Sequence, residues 1–384
     1  MKRIFMIMAL LSAAASFSSC DDEKITDEIG LNADFYITSD KDVIQSNGDD
    51  AAVIKVFLKG EDITSKATIY DGDSNPVNLP GGRFTATADG EYKFWASYGT
   101  YSTFNRNYED NGLYTVKAIS QPVPASVADP QPANTGFVHR AFLTQYTGTS
   151  CGYCPYMIKI VKSLVAENII PTKAVLAAAH SGYNSNDAAA INKLKSPSNY
   201  PYLQVDLVNG FTHNSGAEML KRLIDNSMSA PAKVGISVTP AIYKDDMTLV
   251  VTVSVKAAEA GMYNIGAWLL EDDIYSPQDD YDKVGDDSYD THNNCVRIAD
   301  SDYMGTYFGR LIGNMNRGDV VDKTFVMKLD TKWTKKKSLD QLLEDLHLAV
   351  FVSYGEKSGN KISYSVCNAV DCPIDVATPF EYVK

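Results

Sequence analysis

The chain has 384 residues, 45% of them hydrophobic, and a formal net charge of −13 at pH 7. That acidity argues against nucleic acid and against an electrostatic hold on anionic lipid, because both surfaces are themselves negative. The length predicts two or three domains with ample apolar material for their cores. The first element is a targeting segment that takes no part in the fold: Lys2 and Arg3, an apolar run over residues 4–17, then Ser18, Ser19 and Cys20. No later run approaches the ~18–20 apolar residues needed to span a bilayer.

This segment resembles a bacterial lipoprotein signal, with Phe17 where the usual motif has leucine. The resemblance implies cleavage after residue 19, diacylglycerol on the Cys20 sulfur, and a tether over residues 20–32. Asp21, Asp22 and Glu23 resemble the acidic signal that sends some Bacteroidota lipoproteins to the cell surface. The resemblance thus implies an outer-membrane anchor, at the periplasmic face or, preferably, the surface. A plain secretory peptide or an uncleaved anchor is the other reading.

Residues 33–120 read as strand and turn. Runs at 52–58, 67–70, 83–87 and 91–98 alternate or nearly alternate, and Lys59-Gly60, Asp71-Gly72, Gly81-Gly82 and Asp89-Gly90 break them. Such spacing predicts an antiparallel sandwich and resembles immunoglobulin-like modules, a likeness of architecture that fixes no ligand. The aromatic stretch from Tyr98 to Tyr108 reads either as a recognition face or as an edge packed on the next domain. Residues 121–135 hold four prolines, Pro122, Pro124, Pro130 and Pro132, and read as a stiff extended linker that would make the sandwich a spacer or lever.

The chemistry lies at Cys151-Gly152-Tyr153-Cys154. An apolar run beginning at Phe142 leads into a small-residue turn, and Pro155, Met157, Ile158, Val161 and Leu164 continue as an apolar helix face. Two cysteines three positions apart at a helix start can close a disulfide. The unsatisfied N–H groups there favour thiolate, which makes Cys151 the attacking sulfur. Thr149 or Ser150 is the expected cap. A structural disulfide is the competing reading; zinc is the weakest, for want of a second close pair.

Residues 172–179 read as a buried strand, 187–194 as a helix, 202–208 as a strand after Tyr200-Pro201, 211–213 as a short edge strand, and 216–228 as a closing helix. At this point the chain resembles the thioredoxin-like superfamily over residues 137–228. The Thr-Gly-Thr-Ser-Cys-Gly-Tyr-Cys-Pro stretch around Cys151 resembles the Omp28-related outer-membrane lipoproteins of Bacteroidota. The resemblance implies that Cys151 attacks, Cys154 resolves the mixed disulfide, and Pro201 is a cis-proline bordering the substrate. Gln145 stands where thioredoxins carry a proton-accepting aspartate, and an amide cannot take up that proton.

Residues 231–384 return to strand patterning and predict a C-terminal sandwich, with a short helix or turn at 339–346. Asp290 to Arg297 resembles the lipoprotein family's His-Asn-x-x-x-Arg loop. Neither His292 beside Cys295 nor His180 makes a catalytic set from sequence alone. Asp279, Asp280, Asp282, Asp286 and Asp287 offer oxygen to calcium or form a solvated acidic loop, without the spacing of a helix-loop-helix calcium site. No other cofactor is expected. Cys367 and Cys372 could close a short disulfide loop, leaving Cys295 unpaired and buried; pairing of Cys295 with either is the competing arrangement.

The expected fold class is therefore multidomain α+β: an immunoglobulin-like β-sandwich (33–120), a thioredoxin-like α/β domain (136–230) and a C-terminal β-sandwich (231–384) with an acidic loop. The expected function is thiol-disulfide exchange on envelope proteins. The alternative is a non-catalytic binding or structural lipoprotein that uses the central domain as a scaffold.

Overall fold

A computed structural model describes residues 34–106, 112–181, 187–191, 194, 199–300, 307–335, 337–358 and 361–384. The targeting segment, Cys20, the tether and Tyr108 lie outside the described residues.

The N-terminal part contains β1 (Phe35–Ser39), β2 (Val43–Gln45), β3 (Ala51–Leu58), β4 (Glu61–Asp62), β5 (Thr68–Asp71), β6 (Arg83–Thr85), β7 (Gly90–Tyr98), β8 (Tyr101–Ser102) and β9 (Tyr114–Ile119). Strands β1, β3, β4 and β6 form one sheet and the other five a second. Alternation along β3 and β7 sends Ile54 and Val56, and Phe94 and Ala96, into one core shared by the two sheets.

In the central part, β10 (Ala141–Thr147), α1 (Cys154–Ala166) and β11 (Ala174–His180) form a parallel crossover, with Leu143 opposite Leu176 and Thr147 opposite His180. Next, β12 (Tyr202–Val205) runs antiparallel to β10, β13 (Asn209–Phe211) pairs with β12, and α2 (Ala217–Ser227) closes the unit. Both helices cover one face, where Ala141, Leu143 and Leu176 meet Met157, Leu164, Leu220 and Ile224. The other face carries an aromatic layer in which Phe142 stacks on Phe351 at 4.7 Å and meets Trp268 edge-on at 5.3 Å.

The helix expected over 187–194 is not formed by residues 187–191, which make a turn with Ala190 bridged to His180. The Asp187 carboxylate accepts from the Ala189 N–H, a local bond that competes with helix.

The C-terminal part contains β14 (Val234–Tyr243), β15 (Thr248–Ala257), β16 (Gly261–Glu271), β17 (Ile274–Tyr275), β18 (Thr291–His292), β19 (Cys295–Ala299), β20 (Arg310–Met315), β21 (Val320–Lys328), α3 (Leu339–Asp345), β22 (Leu346–Ser358) and β23 (Lys361–Pro373). Its strands do not stand apart from the central sheet. Parallel pairing of β11 with β19 at Ala178 and Cys295 joins them into one nine-stranded sheet, β13-β12-β10-β11-β19-β16-β22-β23, with β20 also on β16. The separate sheet β14-β15-β21 packs over the far strands of this sheet, where Val251 and Val253 share a core with Ile265, Val350 and Val352.

The proline-rich connector lies along β15 instead of spanning free space. Tyr243 and Thr252 donate to the carbonyls of Pro122 and Pro124, and the buried Lys256 ammonium pairs with Asp129 at 2.7 Å. The N-terminal sheets are held to the same surface. The fully buried Lys323 ammonium donates to Ser39 O at 2.9 Å, Asp42 Oδ1 at 3.0 Å and the Tyr114 hydroxyl at 3.2 Å.

Candidate functional site

The site begins where β10 ends. Cys151 and Cys154 are disulfide-bonded with their Cα atoms 5.3 Å apart. Cys154 is the first residue of α1 and fully buried, whereas Cys151 lies in the preceding turn and is half-buried. The turn is closed by Cys151 N–H donating to Gly148 O (3.0 Å) and Cys154 N–H donating to Cys151 O (2.9 Å). The cap differs from expectation: Tyr153 occupies the N-cap position, and no side chain caps the helix. Thr149 is instead engaged through its backbone, its N–H donating to Asp187 Oδ2 at 2.9 Å.

Tyr200–Pro201 is a cis peptide, and Pro201 immediately precedes β12, the neighbour of β10. Gln145 faces the helices and lines a cavity of about 420 Å³ with Thr147, Ile158, Val161, His180 and His292.

The structure assembles a buried cluster behind the turn that sequence reasoning set aside. His180 Nδ1 lies 3.0 Å from Asp187 Oδ2, His180 Nε2 lies 3.8 Å from Cys295 Sγ, and the His180 and His292 rings meet edge to face at 4.8 Å. Burial works against the Asp187 charge, but His180 and the Thr149 and Ala189 N–H groups outweigh it and hold the carboxyl at about 2. Burial pushes the Cys295 thiol far up and lowers the pKa of His292. Cys295 has no access to solvent and stays protonated, so the cluster braces the turn and supplies no nucleophile.

The second feature invisible in sequence is the excursion between β16 and β19. It rises from the paired β17 and β18 and reaches over the start of α1. The Tyr281 ring sits where a Cβ on Gly152 would stand, 2.4 Å from that position, so only glycine fits. Tyr281 also meets the half-exposed Tyr153 ring at 5.5 Å, the Tyr156 hydroxyl donates to Asp282 at 3.0 Å, and Lys162 donates to the Ser288 hydroxyl at 2.7 Å.

This docking engages the acidic loop through its side chains and backbone. Asp280 Oδ2 accepts from Gly285 N–H, Asp286 accepts from Ser288 N–H, and Asp282 accepts from Tyr156, while Asp279 and Asp287 are exposed. Among the described residues no three acidic, histidine or cysteine groups converge to hold a metal. The expected Cys367–Cys372 disulfide is corrected. Both are free, buried thiols on β23, as is Cys295 on β19, and they donate to Val352 O and Leu348 O of β22. Five residues of strand put about 16 Å between their Cα atoms, beyond the reach of a disulfide.

Fold and site define a multidomain α+β protein with a disulfide of thioredoxin-type CxxC spacing at the start of a helix that crosses between parallel strands. No family model and no curated protein matches the chain. Among solved structures it is similar to HBP35 of Porphyromonas gingivalis, with 18% identity, 64% of this chain and 78% of that chain covered, and a TM-score of 0.46. Among the described residues, no helix is long and apolar enough to cross a membrane.

Proposed function

We propose that this chain exchanges thiols and disulfides with proteins of the bacterial envelope through Cys151 and Cys154. In this reading residues 136–230 are a thioredoxin-like unit flanked by an immunoglobulin-like sandwich and a C-terminal sandwich. The observation that carries the reading is the unequal burial of the pair: Cys151 is half-buried in the turn before the helix, and Cys154, the first helical residue, is fully buried. In the reduced protein a Cys151 thiolate attacks a substrate disulfide, forming a mixed disulfide and releasing one substrate thiolate. Cys154 then attacks the Cys151 sulfur, releasing the second thiolate and restoring the internal bond, so that two electrons pass to the substrate. The same steps reversed oxidise a substrate dithiol.

The position of Pro201 before β12 supports a role at the border of the substrate site. The N-terminal sequence supports a lipid anchor at Cys20 and a place at the outer membrane, on the periplasmic face or the cell surface, and the CGYC context supports kinship with Omp28-related lipoproteins. The test is a Cys154→Ser chain expressed in its native envelope. Mixed disulfides with partner proteins should accumulate and disappear when Cys151 is also replaced; their absence under both reducing and oxidising conditions overturns the reading. The second reading, a non-catalytic scaffold, is favoured by Tyr281 lying over Gly152 and by the amide at Gln145, and that negative result would establish it.

A further inference from the structure

Gln278, in the excursion between β16 and β19, places its Nε2 3.0 Å from Cys151 O, 3.2 Å from Thr149 O, 3.3 Å from Gly148 O and 3.1 Å from Asp279 O. An amide nitrogen carries two hydrogens, so these four carbonyls share two donors. The opposite amide orientation would set an oxygen against four oxygens, and the arrangement therefore selects the one observed.

Two backbone bonds run alongside, Asp279 N–H to Thr149 O at 2.8 Å and Tyr281 N–H to Gly152 O at 3.1 Å. The Gln278 backbone is itself fixed by its N–H donating to Asp290 Oδ1 at 2.8 Å. Carbonyls of Gly148, Thr149, Cys151 and Gly152 are thus all engaged by a segment far along the chain, and the redox turn is completed only when that segment docks.

We propose that Gln278 is a positioning residue for the redox pair: its amide holds the Cys151 peptide in place and offsets the negative ends of the surrounding carbonyls, easing formation of the Cys151 thiolate. The inference rests on the reading of Cys151–Cys154 as an exchanging pair and deepens it. Gln278 acts through the turn and touches no substrate. The titratable groups on the elements packed against the turn are Asp187, His180 and His292 on the sheet side, Tyr153, Tyr156 and Lys162 on α1 and its cap, and Asp279, Asp280, Tyr281, Asp282 and Asp290 on the excursion. All are retained in the variants below, so a change in Cys151 reports the amide.

The experiment uses the full chain with Gln278→Glu and Gln278→Met. Dithiothreitol opens the Cys151–Cys154 bond to two thiols as it closes to its own cyclic disulfide, and after its anaerobic removal the rate of alkylation of Cys151 by iodoacetamide is followed against pH. Glutamate sets a negative oxygen among four carbonyl oxygens and is expected to slow alkylation at neutral pH about tenfold, a rise of about one unit in the midpoint. Methionine, similar in size but without the donor, is expected to shift the profile in the same direction by less. Thermal unfolding of each oxidised variant reports whether the fold is kept; if glutamate prevents folding, the methionine profile decides. A wild-type profile in the folded variants overturns the proposal. Partners trapped by Cys154→Ser with unshifted profiles would sink the role of Gln278 alone, whereas shifted profiles with no trapped partner would sink the exchange reading and leave the positioning role standing.

Discussion

Replacing Asp187 with asparagine probes how the Cys151–Cys154 turn is fixed from behind. One carboxylate oxygen accepts from Thr149 N–H at 2.9 Å, the other from Ala189 N–H at 3.0 Å, and His180 Nδ1 lies 3.0 Å from the nearer. Asparagine replaces one of those oxygens with a donor and removes the charge, so one N–H faces an NH₂ group. The carboxyl is held at about 2 against an ordinary 3.8. That depression corresponds to about 2 kcal/mol of stability at neutral pH. Because the folded-state pKa is the lower one, this stability is fully present above pH ~4 and drains away as the pH falls through ~2. Urea unfolding of the two proteins should therefore show Asp187→Asn weaker by about 2 kcal/mol at pH 7, with the difference narrowing below pH 4. A difference under about 0.5 kcal/mol at pH 7, or one that does not change with pH, would refute the assignment of this carboxylate as the anchor of Thr149.

Three further outcomes are expected. In reduced native protein, iodoacetamide should modify Cys151 readily and spare Cys295, Cys367 and Cys372, which are buried and whose thiols burial pushes up, until denaturant is added; mass mapping of native labelling at any of the three would contradict this. Lys323→Met takes the ammonium from the buried Asp42 carboxylate, which keeps the Tyr114 hydroxyl and, at 3.9 Å, Arg310; it should cost about 1–3 kcal/mol, read as earlier loss of the N-terminal sheets in limited proteolysis than in the parent. Burial opposes a charge on His347, but Asp272 and Asp371 outweigh it and raise its pKa to about 9. His347→Gln should therefore be less stable than the parent by about 3 kcal/mol below pH 6.5, and calorimetry should show the gap closing as pH rises through 9.

Much of the site's frame was legible because it is local. The apolar runs of β10 and β11 and the amphipathic spacing of α2 each announce their element, and a CxxC followed by proline marks a helix start. Asp187 misled because its value lies in a partner across the sheet: in sequence it heads an alanine-rich stretch of good helix formers, and in space its carboxylate answers to Thr149 and His180. Cys367 and Cys372 were misread because proximity along the chain is distance along a strand. Gln278 gave no signal, since one amide in an acid-rich stretch looks like solvated surface, and its role exists only once β17 and β18 carry it over residues 148–151. The acidic residues around it carry the same lesson, being backbone acceptors and surface groups in an excursion whose purpose is contact.

The pairing of Ala178 with Cys295 makes β11 an interior strand. A fragment ending near residue 230 would turn that strand into a raw margin of unpaired N–H and C=O groups on an alanine-rich surface, an invitation to stick to its own copies. It would also arrive without the excursion that completes the turn around Cys151. The Cys151–Cys154 turn is on these grounds not a cassette that can be cut out and moved, and it depends on strands that come much later in the chain.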